Sequence, residues 1–223
     1  MFPTPDLSHL KRSDYSKIYE PDSDSFLFLD ALECELNIIR SLDPLIIVEF
    51  GCGSGIISTF LSKHILSSHC SLFYLTDINP HACSSTQKTY QQNNVIQQFQ
   101  ITNCDLATPF LQRLANGVDL ILFNPPYVPT DEVVNSGDNL IDAAYSGGKQ
   151  GIEVIQRAIE QASILLTENG LFYMIALELN SVETLTLIAK KFNLTMEIVL
   201  KRRTLIESLI VVKFKRKLNS AQE

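Results

Sequence analysis

Short apolar runs alternate with longer amphipathic segments along most of this 223-residue chain, and this alternation constrains the fold more than any other feature. The apolar runs predict β-strands, over residues 45–50, 72–76, 99–102, 118–123 and 170–176. The segments between them predict helices, over residues 55–66, 80–93, 107–114 and 151–166. Because strands that alternate with helices form parallel βαβ units, we expect a parallel sheet with helices on both of its faces.

The last third of the chain departs from this alternation. After a helix predicted over residues 182–192, two apolar runs, 195–201 and 207–215, lie too close together for a crossover helix between them. They should therefore form an antiparallel hairpin at one end of the sheet. A further helix is expected over residues 23–41. The prediction is a Rossmann-like α/β domain with a seven-stranded, mostly parallel sheet.

Composition limits the classes of protein to which the chain can belong. It has 45% hydrophobic and 19% charged residues, as globular domains do, and no apolar run reaches the ~18 residues that span a bilayer. Residues 1–15 are polar and contain prolines, unlike a signal peptide. Five scattered cysteines without a C-x-x-C pair indicate reduced, intracellular thiols, and four dispersed histidines predict no metal site.

The net charge of −7 disfavours binding to the phosphate backbone of nucleic acids. One dense basic cluster, residues 213–217, stands against this trend. Two interpretations of the cluster stay open: a solvated strand end with its tail, or an anchor for nucleic acid or for an acidic partner.

A glycine-rich loop, residues 49–55 (EFGCGSG), joins the first predicted strand to the first helix. Its glycines permit a tight turn and a close approach of a ligand to the backbone. The spacing is G-x-G-x-G, and Ile56 occupies the position of the third glycine of the dinucleotide fingerprint. A pyrophosphate at the helix N-terminus is therefore not the favoured ligand. Alone, the loop is also compatible with a purely structural turn.

Acidic side chains stand at the ends of three successive predicted strands. Glu49 closes the first strand, Asp77 ends the second and Asp105 follows the third. Asp77 is suited to accept hydrogen bonds from ribose hydroxyls, Asp105 from an adenine amine, and Glu49 to hold the amino-acid end of a ligand. Together with the glycine loop they predict a site for S-adenosylmethionine. Helix capping is the alternative for Asp77 and Asp105.

The sequence Asn124-Pro125-Pro126-Tyr127 follows the fourth predicted strand. Its two prolines stop the strand and remove two backbone donors, so that Asn124 is held on a stiff turn beside an aromatic ring. We predict that the Asn124 side-chain oxygen and the Pro125 carbonyl accept the two N–H bonds of a planar amide or amine. Tyr127 is expected to pack against the plane of that group.

These features resemble those of the class I S-adenosylmethionine-dependent methyltransferases that carry an (N/D)PP(Y/F) motif. Residues 19–26 (YEPDSDSF) resemble the Y-E-P-x-x-D-[ST] signature of the HemK-like glutamine methyltransferases, which modify translation release factors. Residues 124–128 (NPPYV) and 147–151 (GGKQG) also match that family, and the resemblance covers nearly the whole chain. The short N-terminal region is expected to lack the helical domain of the bacterial enzymes, and this expectation favours the eukaryotic and archaeal branch.

The resemblance implies a function and a set of site residues. The function is N5-methylation of the glutamine in the Gly-Gly-Gln motif of the eukaryotic class I release factor, with S-adenosylmethionine as donor. Residues 1–42 are expected to cover the cofactor site, and residues 43–223 to form the catalytic core of a single domain. The implied cofactor contacts are Tyr19, Ser25, Glu49, Gly51, Gly53, Asp77, Asp105 and Asn124. The implied substrate contacts are Asn124, Pro125, Pro126 and Tyr127, of which Asn124, Pro125 and Tyr127 form the catalytic set.

The resemblance also implies partners. Eukaryotic members pair with a small zinc-binding activator protein that adds a strand beside the third strand, here residues 99–102. Phe99 and Ile101 at an open edge are consistent with such β-augmentation, although helices of the chain itself can also cover them. The release factor is expected to bind together with its GTPase partner. The expected location is the cytoplasm, with the nucleus as a further site.

Other functions stay open on the sequence. The same motif grips the exocyclic amine of adenine, as in adenine N6-methyltransferases of DNA or RNA, but those enzymes need a basic recognition region that is not evident here. Protein lysine methylation is a second alternative, and a non-enzymatic cofactor-binding scaffold is a third. Residues 129–148 form a long polar segment that we expect to make a rim over the substrate pocket.

Overall fold

A seven-stranded sheet runs through the computed structural model, which describes residues 1–126, 149–203 and 208–217. β1 to β5 are parallel to one another, and β7 is antiparallel to both β5 and β6. The order is β3-β2-β1-β4-β5-β7-β6. The strands are β1 (Ile46–Phe50), β2 (Leu72–Asp77), β3 (Gln98–Asn103), β4 (Val118–Phe123), β5 (Leu166–Leu177), β6 (Leu194–Arg203) and β7 (Ser208–Arg216). The predicted fold class is confirmed, including the antiparallel C-terminal pair, in which β7 lies between β5 and β6.

Helices pack on both faces of this sheet. The helices of the described residues are α1 (Arg12–Tyr15), α2 (Ser23–Cys34), α3 (Leu36–Leu42), α4 (Ile56–Phe60), α5 (Pro80–Gln92), α6 (Lys149–Leu165) and α7 (Glu178–Lys191), of which α1 has no buried residue. A π-helical turn, Leu61–Ile65, continues α4. α5 begins as predicted, because the Asn79 side chain accepts a hydrogen bond from the His81 amide and Pro80 takes the first helical position. In the described part of the chain, no helix has the length and apolar character needed to cross a membrane.

Two hydrophobic cores lie on opposite faces of the sheet, since successive residues of a strand point to opposite sides. In β1, Ile47 belongs to the core shared with α2, α4 and α5, whereas Val48 belongs to the core shared with α6 and α7. Both side chains are fully buried. Burial on both faces explains why the central strands appear in the sequence as continuous apolar runs without polar alternation.

Two predicted helices differ from the observed elements. The helix predicted over residues 23–41 is divided at Glu35, where α2 ends and α3 begins. The helix predicted over residues 107–114 is a single 3₁₀ turn, Thr108–Phe110. The backbone of Leu106 and of Asn116 is left-handed, with φ of 48° and 54°, so the chain turns at both ends of this short segment. Its apolar side chains reach the core without a regular helix.

Candidate cofactor and substrate site

The glycine loop between β1 and α4 forms the floor of the site. Gly51, Gly53 and Gly55 all have positive φ angles, of 64°, 54° and 79°, which side chains rarely tolerate. A Cβ atom at Gly55 would lie 3.0 Å from the Cα of Thr86, so α5 approaches the loop closely. Thr86 Oγ1 in turn donates to the Gly53 carbonyl at 3.1 Å. The glycines are therefore needed both for the turn and for the contact with α5.

Asp77, the last residue of β2, ties that strand to the glycine loop. Its Oδ2 accepts from the Gly53 amide at 2.9 Å, and its Oδ1 accepts from the Asn79 amide at 2.8 Å. Burial raises the pKa of this carboxyl, and the two backbone hydrogen bonds oppose that shift. Each carboxylate oxygen can accept a second hydrogen bond. The carboxylate thus keeps the capacity to accept from a pair of ligand hydroxyls.

Glu49 lies beside this loop on β1 and is 1% exposed. Its Oε2 has no hydrogen-bond donor among the described residues. Burial raises the pKa of the Glu49 carboxyl to about 8; nearby Ser58 acts against this shift, and the charge of nearby Asp77 acts in its direction. A buried acceptor without a donor is the environment in which a cationic group of a ligand is bound strongly.

Asp105 differs from the other two acids. It follows β3, as predicted, but it is exposed and forms an ion pair with Arg157 of α6. Its backbone carbonyl accepts from the Thr108 amide and hydroxyl. Acceptance of a hydrogen bond from an adenine amine stays a prediction for Asp105. The ligand would have to share this carboxylate with Arg157.

The N-terminal signature reaches the site through one carboxylate. Asp24, in the first turn of α2, is 2% exposed. Its Oδ1 accepts from the Tyr19 hydroxyl at 2.9 Å and from the Ser25 hydroxyl at 3.2 Å. The two predicted cofactor residues of this segment, Tyr19 and Ser25, are therefore brought together by a third residue.

Asn124 stands directly after β4, where it meets the N-terminal signature. Its Nδ2 donates to Asp24 Oδ2 at 2.9 Å. Its Oδ1 is buried and has no hydrogen-bond donor among the described residues. Pro125 is buried and Pro126 is half-buried, while Tyr127 and the predicted rim 129–148 lie outside the described residues. The amide oxygen of Asn124 is thus a buried acceptor whose hydrogen-bonding capacity is not used by the described residues.

Asp24 was not predicted as a site residue. The signal was present, since Asp24 is the fixed acid of the signature over residues 19–26. Its partner Asn124 is 100 positions away in sequence, so their contact could not be derived from local patterns.

The basic cluster over residues 213–217 is not a free cationic patch. Lys213 is buried and pairs with Glu35 and Glu197. Arg216 donates to the backbone carbonyls of Ser163 and Leu166 and to the Asn116 side chain. Within the described residues, no group of three or more His, Cys, Asp or Glu side chains is placed to hold a metal ion.

The fold and the site define a class I methyltransferase. A glycine loop after β1, acids at the ends of β1 and β2 and an Asn-Pro-Pro turn after β4 meet at the carboxyl edge of the parallel strands, where open α/β sheets bind ligands. Two buried oxygens there, on Glu49 and Asn124, fit the cationic amino-acid end of S-adenosylmethionine and a substrate N–H.

Comparison with known proteins agrees with this class. The family model of the methyltransferase small domain matches residues 19–205. Methyltransferase HEMK2 of Homo sapiens is 40% identical over 215 residues, 96% of each chain. The eRF1 methyltransferase catalytic subunit mtq2 of Schizosaccharomyces pombe is 34% identical over 225 residues, 97% of this chain and 96% of the relative. The chain belongs to the methyltransferase small domain family and is an S-adenosylmethionine-dependent methyltransferase.

A solved structure is similar over most of its length. The E. cuniculi Mtq2–Trm112 complex, described as methylating the eRF1 translation termination factor, contains a chain that superposes with a TM-score of 0.63 at 26% identity. The similarity covers 89% of this chain and 98% of that one.

Proposed function

We propose that this enzyme transfers a methyl group to the N5 nitrogen of the glutamine in the Gly-Gly-Gln motif of a class I translation release factor. The observation that carries the proposal is the buried Asn124 Oδ1, an acceptor without a donor on a proline-stiffened turn. It fits an N–H group that is itself planar and neutral, such as a primary amide. The relatives named for eRF1 methylation support release factor as the acceptor.

A primary amide nitrogen is a weak nucleophile, because its lone pair is delocalised into the carbonyl. The enzyme must therefore act mainly by orientation. Asn124 Oδ1 and the Pro125 carbonyl accept the two N–H bonds and fix the nitrogen in one position, with Pro126 and Tyr127 lining the substrate. The same acceptors stabilise the positive charge that develops on this nitrogen. No nucleophilic side chain is required, and the nitrogen loses one proton to water after the transfer.

The cofactor site is proposed from the residues around the glycine loop. When bound, S-adenosylmethionine supplies an electrophilic methyl group on a sulfonium sulfur. Glu49 would hold its amino-acid end and Asp77 its ribose hydroxyls. The remaining proposed contacts are those of Tyr19, Ser25, Gly51, Gly53, Asp105 and Asn124. Residues 1–42 would cover this site and residues 43–223 would form the catalytic core of one domain.

We further propose that the enzyme works as the catalytic subunit of a heterodimer with a small zinc-binding activator. β3 is one edge of the sheet, and none of its residues, Gln98–Asn103, is charged. The opposite edge strand, β6, carries Glu197, Lys201, Arg202 and Arg203. Charged side chains protect an edge from pairing, so β3 is the edge suited to accept a strand from a partner. The release factor would bind together with its GTPase partner. The enzyme would be located in the cytoplasm and also in the nucleus.

The acceptor class is tested by incubating the co-expressed complex with methyl-labelled cofactor and either release factor or nucleic acid. We expect label in the release factor, at the glutamine of its Gly-Gly-Gln motif, and its loss when that glutamine is replaced. Label at a lysine or in DNA or RNA would refute the proposed acceptor. Absence of label from every acceptor, with cofactor bound, would indicate a non-enzymatic scaffold.

The role of Asn124 is tested by the substitution Asn124→Ala. Removal of the acceptor oxygen should lower kcat by at least ~100-fold, as expected for loss of an orienting group. The dissociation constant of the cofactor, measured by calorimetry, should change little, since most of the proposed cofactor contacts remain. Methylation retained in this variant would refute the assignment.

A further inference from the structure

The buried carboxylate of Asp24 accepts hydrogen bonds from four donors, one of which is the side chain of Asn124. Asp24 Oδ1 accepts from the Tyr19 hydroxyl, the Ser25 hydroxyl and the Ser25 backbone amide. Asp24 Oδ2 accepts from Asn124 Nδ2 at 2.9 Å. The four contacts involve only donors, and the side chain is 2% exposed. The carboxylate thus has a defined partner for each of its oxygens.

This arrangement decides which end of the Asn124 amide faces the substrate. An ionised carboxylate only accepts hydrogen bonds, so Asn124 must present its NH₂ group to Asp24. Its Oδ1 then points away from Asp24 and stays without a donor among the described residues. Rotation of the amide by 180° would place two oxygens together and offer an NH₂ group to the substrate N–H. That orientation would repel the substrate at the place where it should be bound.

We propose that Asp24 is a positioning residue for methyl transfer, which acts through Asn124 by fixing its amide oxygen toward the substrate nitrogen. This inference rests on the proposed function, in which Asn124 Oδ1 accepts a substrate N–H. A charged acceptor on the NH₂ group also polarises the amide and makes its oxygen a better acceptor. Tyr19 and Ser25 hold the carboxylate in place, so the N-terminal signature contributes to acceptor geometry.

The substitution Asp24→Asn separates orientation from packing, because it keeps the size of the side chain. The Ser25 amide can only donate, so the oxygen of the new carboxamide is held on that side. Its NH₂ group then faces Asn124, which must rotate and present its own NH₂ group to the substrate. We expect kcat to fall by at least ~100-fold, as for a displaced reacting group. Cofactor affinity should change far less.

A second substitution should reverse this loss. In the variant Asp24→Asn/Asn124→Asp, donor and acceptor exchange places: the residue at 24 donates, and the carboxylate at 124 accepts while its other oxygen faces the substrate. We expect kcat to return to within ~10-fold of the unsubstituted enzyme, since an acceptor is again directed at the N–H. Asn124→Asp alone places two carboxylates in contact and should be strongly impaired.

A stability measurement tests the same bond without any acceptor protein. Thermal unfolding of the cofactor-free complex should show lower melting temperatures for both single variants and a higher one for the double variant than for either single. Asp30→Asn is the matched control, because it makes the same chemical change on α2 at a carboxylate that pairs with Arg202. It should leave kcat unchanged.

The two proposals fail in different ways. No methylation of release factor by the unsubstituted complex would refute the proposed function, and the unfolding cycle would still establish or refute the bond between Asp24 and Asn124. Methylation by the unsubstituted complex with an equally active Asp24→Asn variant would overturn only the positioning role. A double variant that is as inactive and as unstable as both single variants would also overturn the positioning role of Asp24.

Discussion

At the scale of single residues, the glycine loop shows two different needs for glycine. Gly53 and Gly55 both have left-handed backbone, but only at Gly55 would a Cβ atom meet the backbone of α5, 3.0 Å from the Thr86 Cα. We expect Gly55→Ala to lower the free energy of unfolding by ~2–3 kcal/mol, from backbone strain plus steric overlap. Gly53→Ala should cost ~1 kcal/mol from strain alone. Urea unfolding of both variants measures the difference, and equal losses would contradict the steric argument.

Glu49 should make the stability of the cofactor-free protein depend on pH. Burial raises the pKa of its carboxyl from 4.5 to about 8, so between these values the folded state holds a proton that the unfolded state releases. The contribution of Glu49 to the free energy of unfolding should therefore be fully present below pH 4.5 and should be lost as the pH rises to about 8.

The variant Glu49→Gln isolates this effect, since its amide does not titrate. As the pH rises, the free energy of unfolding of the unsubstituted protein should fall relative to that of this variant, by up to ~1.4 kcal/mol per pH unit. Urea unfolding at several pH values between 5 and 8 measures it. A difference that is independent of pH would show that Glu49 is ionised in the folded protein.

At the scale of elements, an ionic cluster around the buried Lys213 joins the break between α2 and α3 to the antiparallel strands. Lys213 Nζ on β7 lies 2.5 Å from Glu35 Oε2 and 2.7 Å from Glu197 Oε1. The hydroxyl of Tyr173 on β5 donates to the same Glu35 oxygen at 2.7 Å. Burial lowers the pKa of Lys213, but its two carboxylate partners outweigh this effect, and the pKa is raised. The lysine is therefore held in its charged form.

Removal of this lysine should loosen the docking of α2 and α3 on the sheet. Lys213→Met leaves the half-buried Glu35 carboxylate without its cation. Because Glu35 is partly exposed to solvent, the loss should be smaller than the ~3–5 kcal/mol of a fully buried pair. Lys215→Met, at an exposed position on the same strand, is the matched control and should change the free energy of unfolding little. Adding Glu35→Gln to Lys213→Met should restore part of the loss. Similar effects of the two lysine substitutions would contradict this account.

The same cluster shows where prediction from sequence ends. The strands and most helices followed from apolar periodicity, because both faces of the sheet are buried. The division of the helix over residues 23–41 at Glu35 did not. The Glu35 carboxylate there is bound by Lys213, 178 positions away, and local patterns do not reveal such a contact. Segment 107–114 has the apolar spacing of a helix but lies between two left-handed residues, and local patterns do not reveal such turns.

At the scale of the whole molecule, the positions of the candidate site residues at the strand ends could be predicted from the sequence, but the hydrogen bonds between distant segments could not. The acids, glycines and Asn-Pro-Pro turn were recognisable because each terminates a strand at one edge of the sheet. The link from Asp24 to Asn124 depends on how the N-terminal segment folds over the sheet. Since that segment also contributes Tyr19 and Ser25, residues 19–25 and the Asn-Pro-Pro turn form one hydrogen-bonded unit.

The two edges of the sheet lead to a prediction about assembly. Ile96, two positions before the uncharged edge strand β3, is 82% exposed, whereas Ile198, on the charged edge strand β6, is 45% exposed. If the activator pairs with β3, the chain expressed alone should give little soluble, active protein, and co-expression should restore both, because an uncharged edge promotes aggregation. Ile96→Asp should weaken the complex in pull-down and gel filtration, while Ile198→Asp should not. Equal effects of both substitutions would place the partner at another surface. A fully active monomer would show that no partner is needed.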